Sequence, residues 1–172
     1  MASSKLVQGT KGNWPPGNLI HSPEYQGKGA FVDDGQFRFS RQFFGSLADA
    51  INKTIVRRND STATIENGLK LLKIMATKAH NLGGKVIFIG NGGSSAIASH
   101  MAVDWTKNGG IRAVAFNDAP TLTCLANDFG YEEVFSKQLE YYATEGDLVI
   151  IISSSGKSPN ILRAAEQCFT QA

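Results

Sequence analysis

Three short, almost wholly apolar runs constrain the fold of this chain more than any other feature. They are KVIFIG at 85–90, RAVAF at 112–116 and DLVIIIS at 147–153. Uniformly apolar strands are typical of parallel sheets, which helices cover on both faces. Segments with helical patterns separate or flank these runs, at 94–107, 119–127, 131–144 and from Ser158-Pro159 onward. The alternation predicts right-handed βαβ units, and therefore an α/β fold with a parallel sheet flanked by helices.

Two amphipathic helices are expected before the first apolar run. From Phe43 onward, apolar residues recur every three or four positions, at Phe44, Leu47, Ala48, Ile51 and Ile55. Asn59-Asp60-Ser61 interrupts the pattern, and a second helical stretch at 65–79 closes at Gly83-Gly84. Residues 1–42 are rich in Gly, Ser, Pro and Asn without lasting periodicity. We therefore predict an extended or partly disordered arm at 1–42 and one domain at 43–172.

Length, charge and cysteine content narrow the class of protein. A chain of 172 residues is long enough for one domain with a real core. Its net charge of +2 gives no electrostatic case for nucleic acid or for an anionic membrane surface. No apolar run is long enough for a membrane helix, and the polar N-terminus does not resemble a signal peptide. With only Cys124 and Cys168, we expect reduced thiols in a cytoplasmic protein.

The first candidate binding loop is Gly90-Asn91-Gly92-Gly93-Ser94-Ser95, which links a predicted strand to a predicted helix. Glycines leave backbone N–H groups uncovered, and the helix N-terminus adds a positive dipole end. The loop therefore suits a ligand that lies directly on the backbone, although a tight turn alone remains an alternative. A dinucleotide site is disfavoured because Ser95 stands where the GxGxxG motif needs its third glycine.

The second candidate loop, Ser153-Ser154-Ser155-Gly156-Lys157-Ser158, follows the third apolar run. Serine hydroxyls and N–H groups at a helix N-terminus together make a phosphate cradle. The ending GKS does not complete a nucleotide-binding P-loop, because Ile151 occupies the position of its first glycine. Alternatively, the serines serve only the turn and the helix cap, since Ser158 precedes a proline suited to the first helical position.

His100 and Asp104 are spaced to share one face of the helix that follows the glycine loop. Together they could bind a metal ion or move a proton, and a plain surface contact is the alternative.

Three segments carry a resemblance to a known family. IGNGGSSAIASHMAVDW (89–105), LANDFGYEEVFSKQLE (125–140) and GDLVIIISSSGKSPNILRAAE (146–166) resemble the sugar isomerase (SIS) domain, and within it the phosphoheptose isomerase group. The resemblance covers about residues 43–172. It implies a Rossmann-like or flavodoxin-like SIS fold with an N-terminal helical pair.

The resemblance implies an enzyme that interconverts sedoheptulose 7-phosphate and D-glycero-D-manno-heptose 7-phosphate through an enediol, for cell-surface polysaccharide. The phosphate would lie on Ser153, Ser155 and Ser158. The residues that would contact the phosphosugar as a whole are Asn91, Gly92, Gly93, Ser94, Asn127, Asp128, Ser153, Ser154, Ser155 and Ser158.

A zinc ion is also implied, with His100 and Asp104 as ligands and Asp104 as the catalytic residue. Asp104 replaces the family's Glu, so its carboxylate is expected to fall about 1.5 Å short of the usual position. The family also continues beyond the equivalent of Ala172, with a Gln and a second His, so we expect the chain to be C-terminally incomplete.

Two further expectations follow from the resemblance. Family members assemble as tetramers through their N-terminal helices, which predicts a homo-oligomer here. A non-catalytic SIS module that binds a phosphosugar, or that acts as a protein adaptor, is the alternative to the enzyme.

Overall fold

The computed structural model describes residues 36–170 of the chain, with side chains from Phe39 onward. This part of the chain contains six α-helices and five strands. In chain order they are α1 (Gln36–Asn52), β1 (Val56–Arg58), β2 (Ser61–Ala63), α2 (Ile65–Asn81), β3 (Val86–Gly90), α3 (Gly93–Lys107), β4 (Ala113–Ala115), α4 (Ala119–Phe129), α5 (Ser136–Tyr142), β5 (Leu148–Ile152) and α6 (Pro159–Thr170). The chain divides into two compact units, Met1–Asp49 and Ala50–Ala172. All five strands of the described residues lie in the second unit.

The main sheet has the order β4-β3-β5, and both pairings are parallel. Val86 is in register with Ala113 on one side and with Leu148 on the other. All five residues of β3 are buried, so this strand is the centre of the sheet. The predicted α/β fold with a parallel sheet flanked by helices is confirmed.

Helices cover both faces of this sheet and form two hydrophobic clusters. Ile87 and Ile89 of β3 pack on one face with side chains from α4, α5 and α6, including Leu125, Leu139, Ile161 and Ala164. Val86 and Phe88 pack on the other face with Ala76 of α2 and with Ala98 and Ala102 of α3. Burying one Ile or Phe side chain fully contributes about 1.5–3 kcal/mol. The two layers are therefore held to the sheet mainly through β3.

The N-terminal part departs from the predicted pattern in two ways. Helix α1 begins at Gln36 rather than near Phe43, and it ends at Asn52, so Ile55 lies outside it. The predicted interruption at Asn59-Asp60 is the turn of a β1–β2 hairpin, which the sequence pattern did not predict. Asn59 has φ 51°, a left-handed conformation that Asn tolerates in tight turns. The rest of the predicted arm, residues 1–35, lies outside the described residues.

Two predictions on the C-terminal side also need correction. The single helix predicted at 131–144 is a 3₁₀ turn at Tyr131–Glu133 followed by α5, because Val134 and Phe135 turn inward and are almost fully buried between them. Strand β5 is half-buried rather than buried. Among the described residues it pairs only with β3, so its outer edge is not covered by a neighbouring strand.

Two smaller expectations concern membrane-spanning helices and the state of the cysteines. No helix within residues 36–170 has the combination of length and apolar character needed to cross a membrane. Cys124 and Cys168 are both free cysteines. Burial raises the pKa of the Cys168 thiol, which makes it less reactive at neutral pH.

A partly buried ion pair joins the amino-terminal ends of β3 and β5. The Asp147 side chain is 2% exposed, and its Oδ2 lies 2.6 Å from Lys85 Nζ. Asp147 Oδ1 also accepts a hydrogen bond from the Lys85 backbone N at 2.7 Å, and Oδ2 accepts one from Thr144 N at 2.9 Å. Burial by itself raises the pKa of Asp147, but the hydrogen bonds from Lys85 and Thr144 outweigh it and lower the pKa.

Replacing Asp147 should destabilise the fold in a pH-dependent way. At pH 7 we expect Asp147→Ala to lower the free energy of unfolding by about 2 kcal/mol, because charge-assisted hydrogen bonds to Lys85 are lost. Because the pKa of Asp147 is lower in the folded protein than in the unfolded chain, ionised Asp147 stabilises the fold. This stabilisation is complete above the unfolded-state pKa of 3.8, and it disappears as the pH falls through the folded-state pKa. Urea denaturation of both proteins should therefore show the difference shrinking below about pH 4.

The matched control is Glu145→Ala, which removes an exposed carboxylate two positions away. It should change neither the unfolding free energy nor its pH dependence by much. A difference between wild type and Asp147→Ala that stays constant into the acid range would contradict the prediction.

Candidate functional site

The candidate site lies where the chain leaves β3 and β5 in opposite directions. Because the strands are parallel, the carboxyl ends of β3 and β5 lie side by side at one edge of the sheet. Helix α3 follows β3 and packs on one face, whereas α6 follows β5 and packs on the other. In open α/β sheets, ligands bind in the crevice at such a reversal point. The glycine loop (residues 90–95) and the serine loop (residues 153–158) border this crevice.

Backbone packing explains why the glycine loop contains so little side chain. A Cβ on Gly90 would come within 2.7 Å of the Ser94 backbone, so only glycine fits there. Gly92 has φ 53°, which favours glycine, and α3 begins at Gly93. By contrast, a Cβ on Gly92 or Gly93 would meet nothing within 4 Å. The loop is thus tight on its inner side and open toward solvent on its outer side, as a ligand that lies on backbone requires.

The serine loop is shaped by its own hydroxyl groups. Ser153 Oγ accepts a hydrogen bond from Gly156 N at 3.0 Å, and Ser155 Oγ accepts one from Lys157 N at 3.2 Å. Ser154 and Ser155 are exposed. Helix α6 begins at Pro159, and the Ser158 carbonyl accepts from Ile161 N at 3.0 Å, as expected for a helix that starts after Ser158-Pro159. The hydroxyls of Ser153 and Ser155 act as hydrogen-bond acceptors in the turn, so each O–H can still donate a hydrogen bond to a ligand.

A pair of side-chain amides connects the glycine loop to the start of α6, two residues beyond the serine loop. Asn91 Nδ2 donates to Asn160 Oδ1, and Asn160 Nδ2 donates to Asn91 Oδ1, both at 2.9 Å. The Tyr131 hydroxyl donates to Asn91 Oδ1 at 3.4 Å. Asn91 was predicted as a site residue, but Asn160 and Tyr131 were missed. No periodicity or motif links residues so far apart in the chain.

A second Asn that was missed fixes the start of α3. Asn117, in the loop after β4, donates from Nδ2 to Ser95 Oγ at 2.9 Å and to the Ser95 carbonyl at 3.2 Å, and it contacts Ser99 Oγ as well. The loop after β4 therefore supports the glycine loop from its other side. The position of Asn117, a polar residue directly after the apolar run at 112–116, could have indicated this role from the sequence.

The structure places Asn127 and Asp128 apart from the hydrogen bonds of the two loops. Both side chains are exposed near the end of α4, where Asn127 Nδ2 donates to Asp128 Oδ1 at 2.9 Å. Within residues 36–170, neither side chain has a hydrogen bond to the glycine or serine loop. Just after α4, the Tyr131 hydroxyl is the group that donates a hydrogen bond to the glycine loop, at Asn91 Oδ1.

His100 and Asp104 form the predicted pair on α3. His100 Nε2 lies 3.3 Å from Asp104 Oδ2, and Asn108 Nδ2 donates to Asp104 Oδ1 at 3.1 Å. Asp104 thus reaches His100 within a continuous helix despite its short side chain. The two side chains are 73% and 39% exposed, so neither is desolvated by the described residues. At 1.5 Å per residue, His100 lies about 10 Å along α3 from Gly93.

The His100–Asp104 pair can be compared with the geometry of a zinc site. Two ligand atoms at zinc–ligand distances near 2.1 Å and a tetrahedral angle lie about 3.3–3.5 Å apart. The separation of 3.3 Å between Nε2 and Oδ2 fits one edge of such a tetrahedron. Residues 36–170 contain no group of three or more His, Cys, Asp or Glu side chains that could hold a metal ion. The described residues therefore fit two positions of a zinc site and supply no third.

Comparison with known proteins agrees with this architecture. The sequence profile of the SIS domain family matches residues 48–171. The chain belongs to the SIS domain family. The phosphoheptose isomerase of Neisseria gonorrhoeae superposes on this SIS domain with a TM-score of 0.64 and 30% sequence identity, over 79% of this chain and 70% of that chain. The corresponding protein of Francisella tularensis gives a TM-score of 0.62 at 29% identity, over 79% and 70% of the two chains.

Curated relatives of this SIS domain carry the same name. The phosphoheptose isomerase of Fusobacterium nucleatum is 43% identical over 94 residues, which cover 52% of this chain and 48% of that protein. The phosphoheptose isomerase of Serratia proteamaculans is 39% identical over 131 residues, covering 73% and 65% of the two chains. The resemblance to the phosphoheptose isomerase group is confirmed. The chain spans about half to two thirds of the length of these two relatives.

Alanine substitutions at Gly90 and Gly93 should show which glycine of the loop is required for packing and which faces open space. Gly90→Ala should lower the free energy of unfolding by about 1–3 kcal/mol, because the new methyl group collides with the Ser94 backbone. Gly93→Ala should leave the unfolding free energy unchanged or slightly higher, since its methyl group meets open space at the start of a helix. Urea denaturation measures both effects, and equal destabilisation by the two variants would contradict this account.

Proposed function

We propose that this SIS domain binds the phosphorylated sugar sedoheptulose 7-phosphate and takes part in its isomerisation to D-glycero-D-manno-heptose 7-phosphate. The observation that carries the proposal is the placement of the glycine loop beside the serine loop at the reversal point of the sheet. The SIS domain shares about 40% identity with proteins named phosphoheptose isomerase over the matched segments.

The serine loop is proposed to hold the phosphate. Ser153, Ser154, Ser155 and Ser158 offer hydroxyl donors beside the N-terminus of α6, whose dipole favours an anion. Lys157, in the same loop, adds a positive charge. The glycine loop, with Asn91, Gly92, Gly93 and Ser94, is proposed to lie against the sugar, because its outer side carries no Cβ. Asn127 and Asp128 stay predicted sugar contacts, although no hydrogen bond joins them to either loop in residues 36–170.

The reaction transfers a proton between neighbouring carbons. A base removes a proton from C1 of the ketose, the C2 carbonyl oxygen gains a proton to give the enediol, and a proton then returns to C2 as the C1 hydroxyl proton is lost. Asp104 is proposed as the catalytic carboxylate. His100 and Asp104 are also proposed to hold a zinc ion, since their separation fits it. A bound zinc ion would polarise the sugar oxygens on which negative charge develops.

A non-catalytic phosphosugar-binding or adaptor module is the second candidate. It is favoured by the exposure of His100 and Asp104 and by the lack of a third ligand among the described residues. The isomerase and the phosphosugar-binding module share the serine loop and differ only in turnover, whereas an adaptor would not require the sugar phosphate.

Proton exchange distinguishes the two candidates. In deuterated water with zinc, an isomerase should place deuterium at C1 of sedoheptulose 7-phosphate and produce an aldose anomeric signal in proton NMR. Ser155→Asp should weaken binding of the sugar phosphate by at least about tenfold, because a carboxylate at the loop repels the phosphate. Thr170→Asp, which adds the same charge at the exposed far end of α6, is the matched control.

The outcomes assign the function directly. Binding without exchange would support the phosphosugar site and contradict turnover by these 172 residues, as expected either for a non-catalytic module or for a catalytically incomplete chain. Absence of binding by the wild-type protein, or equal binding by Ser155→Asp, would contradict the phosphosugar site itself.

A homo-oligomer, specifically a tetramer, is also proposed. Helix α1 carries Phe43, Phe44 and Leu47 with about half or more of each side chain exposed, and α2 exposes Leu69 and Ile74. Single exposed apolar residues are common, but a row of them on amphipathic helices is typical of interfaces. Light scattering at micromolar concentration should give the mass of a tetramer, and Phe43→Glu with Phe44→Glu should reduce it. A monomeric wild-type protein would contradict the proposal.

A further inference from the structure

The Asn91–Asn160 pair spans the crevice between the two candidate binding loops. Asn91 directly follows β3, and Asn160 is the second residue of α6. Both hydrogen bonds of the pair measure 2.9 Å, and Asn160 is only 2% exposed. Within residues 36–170, no other side-chain hydrogen bond joins the glycine loop to the serine loop and the start of α6.

The hydrogen-bonding capacity of the amides fixes both side chains in one orientation. A primary amide has two donor hydrogens and an oxygen with two lone pairs. Each Asn uses one donor and one lone pair in the reciprocal pair, and the Tyr131 hydroxyl occupies the second lone pair of Asn91 Oδ1. Rotating either amide by half a turn would set oxygen against oxygen and nitrogen against nitrogen. The pair therefore resists rotation, as a single hydrogen bond would not.

Each loop is held internally by bonds that do not involve this pair. In the glycine loop, Ser94 N donates to the Asn91 carbonyl at 3.0 Å. In the serine loop, Ser153 Oγ accepts from Gly156 N. Loss of the pair would thus leave each loop folded but would remove the side-chain link between them. Its specific contribution is the spacing of the two loops.

We propose that Asn160 is a positioning residue that acts through Asn91 to hold the glycine loop at a fixed distance from the serine loop. A ligand that contacts both loops then finds them already arranged, which reduces the ordering that binding would require. This inference rests on the proposed phosphosugar site. It assigns to Asn160 a role that differs from direct contact with the sugar or the phosphate.

The test compares a ligand that reaches both loops with one that reaches only the serine loop. Calorimetric titrations use sedoheptulose 7-phosphate and inorganic phosphate. Asn160→Ala should weaken binding of the sugar phosphate about tenfold or more, since small misplacements of binding groups have large effects. Its affinity for inorganic phosphate should change little. Asn160→Leu fills the same buried space without a donor or acceptor, and it replaces the alanine variant if that protein does not fold.

A double-mutant cycle shows whether Asn160 acts through Asn91. If it does, Asn160→Ala should add little further loss of sugar phosphate affinity in an Asn91→Ala background. Gln138→Ala is the matched control for a general loss of stability. Gln138 is a buried amide in α5 with a hydrogen bond to the Val134 carbonyl, and within residues 36–170 its side chain has no hydrogen bond to either loop. Gln138→Ala should lower the unfolding free energy and leave the affinity for both ligands unchanged.

Each result has a definite meaning. If the wild-type protein binds sedoheptulose 7-phosphate and Asn160→Ala or Asn160→Leu binds it equally well, the positioning role is wrong and the proposed function stands. Equal weakening of both ligands, or additive losses in the double mutant, would also overturn the positioning role. If the wild-type protein binds neither ligand, the proposed function fails, and this inference fails with it.

Discussion

Burial of β3 on both faces is the constraint on which the rest of this SIS domain depends. All five residues from Val86 to Gly90 are buried, and the side chains of the first four alternate between two hydrophobic clusters. A strand of this kind is stable only if a helix layer covers each face and a strand pairs with each edge. These four requirements position α3, α6, β4 and β5, and with them the two loops of the candidate site.

The same constraint explains the composition of the site. Because α3 and α6 must lie on opposite faces, the chain turns in opposite directions after β3 and β5 and leaves a crevice between them. The first turn is so close to the strand that Gly90 has no room for a Cβ. The polar side chains nearest the crevice, Asn91, Asn160 and Asn117, are engaged mainly with other residues of this chain. Backbone N–H groups of the glycine loop and serine hydroxyls are further donors that the proposed site offers to a ligand.

The parts of the fold that were predictable from the sequence are those encoded by neighbouring residues. The apolar run of β3 and the proline at the start of α6 identified those elements correctly. The β1–β2 hairpin was missed because its strands have only three residues each and its polar turn resembles a simple interruption. The Asn91–Asn160 pair joins residues 69 positions apart, and it exists only because β3 and β5 are neighbours in the sheet. No local pattern contains that information.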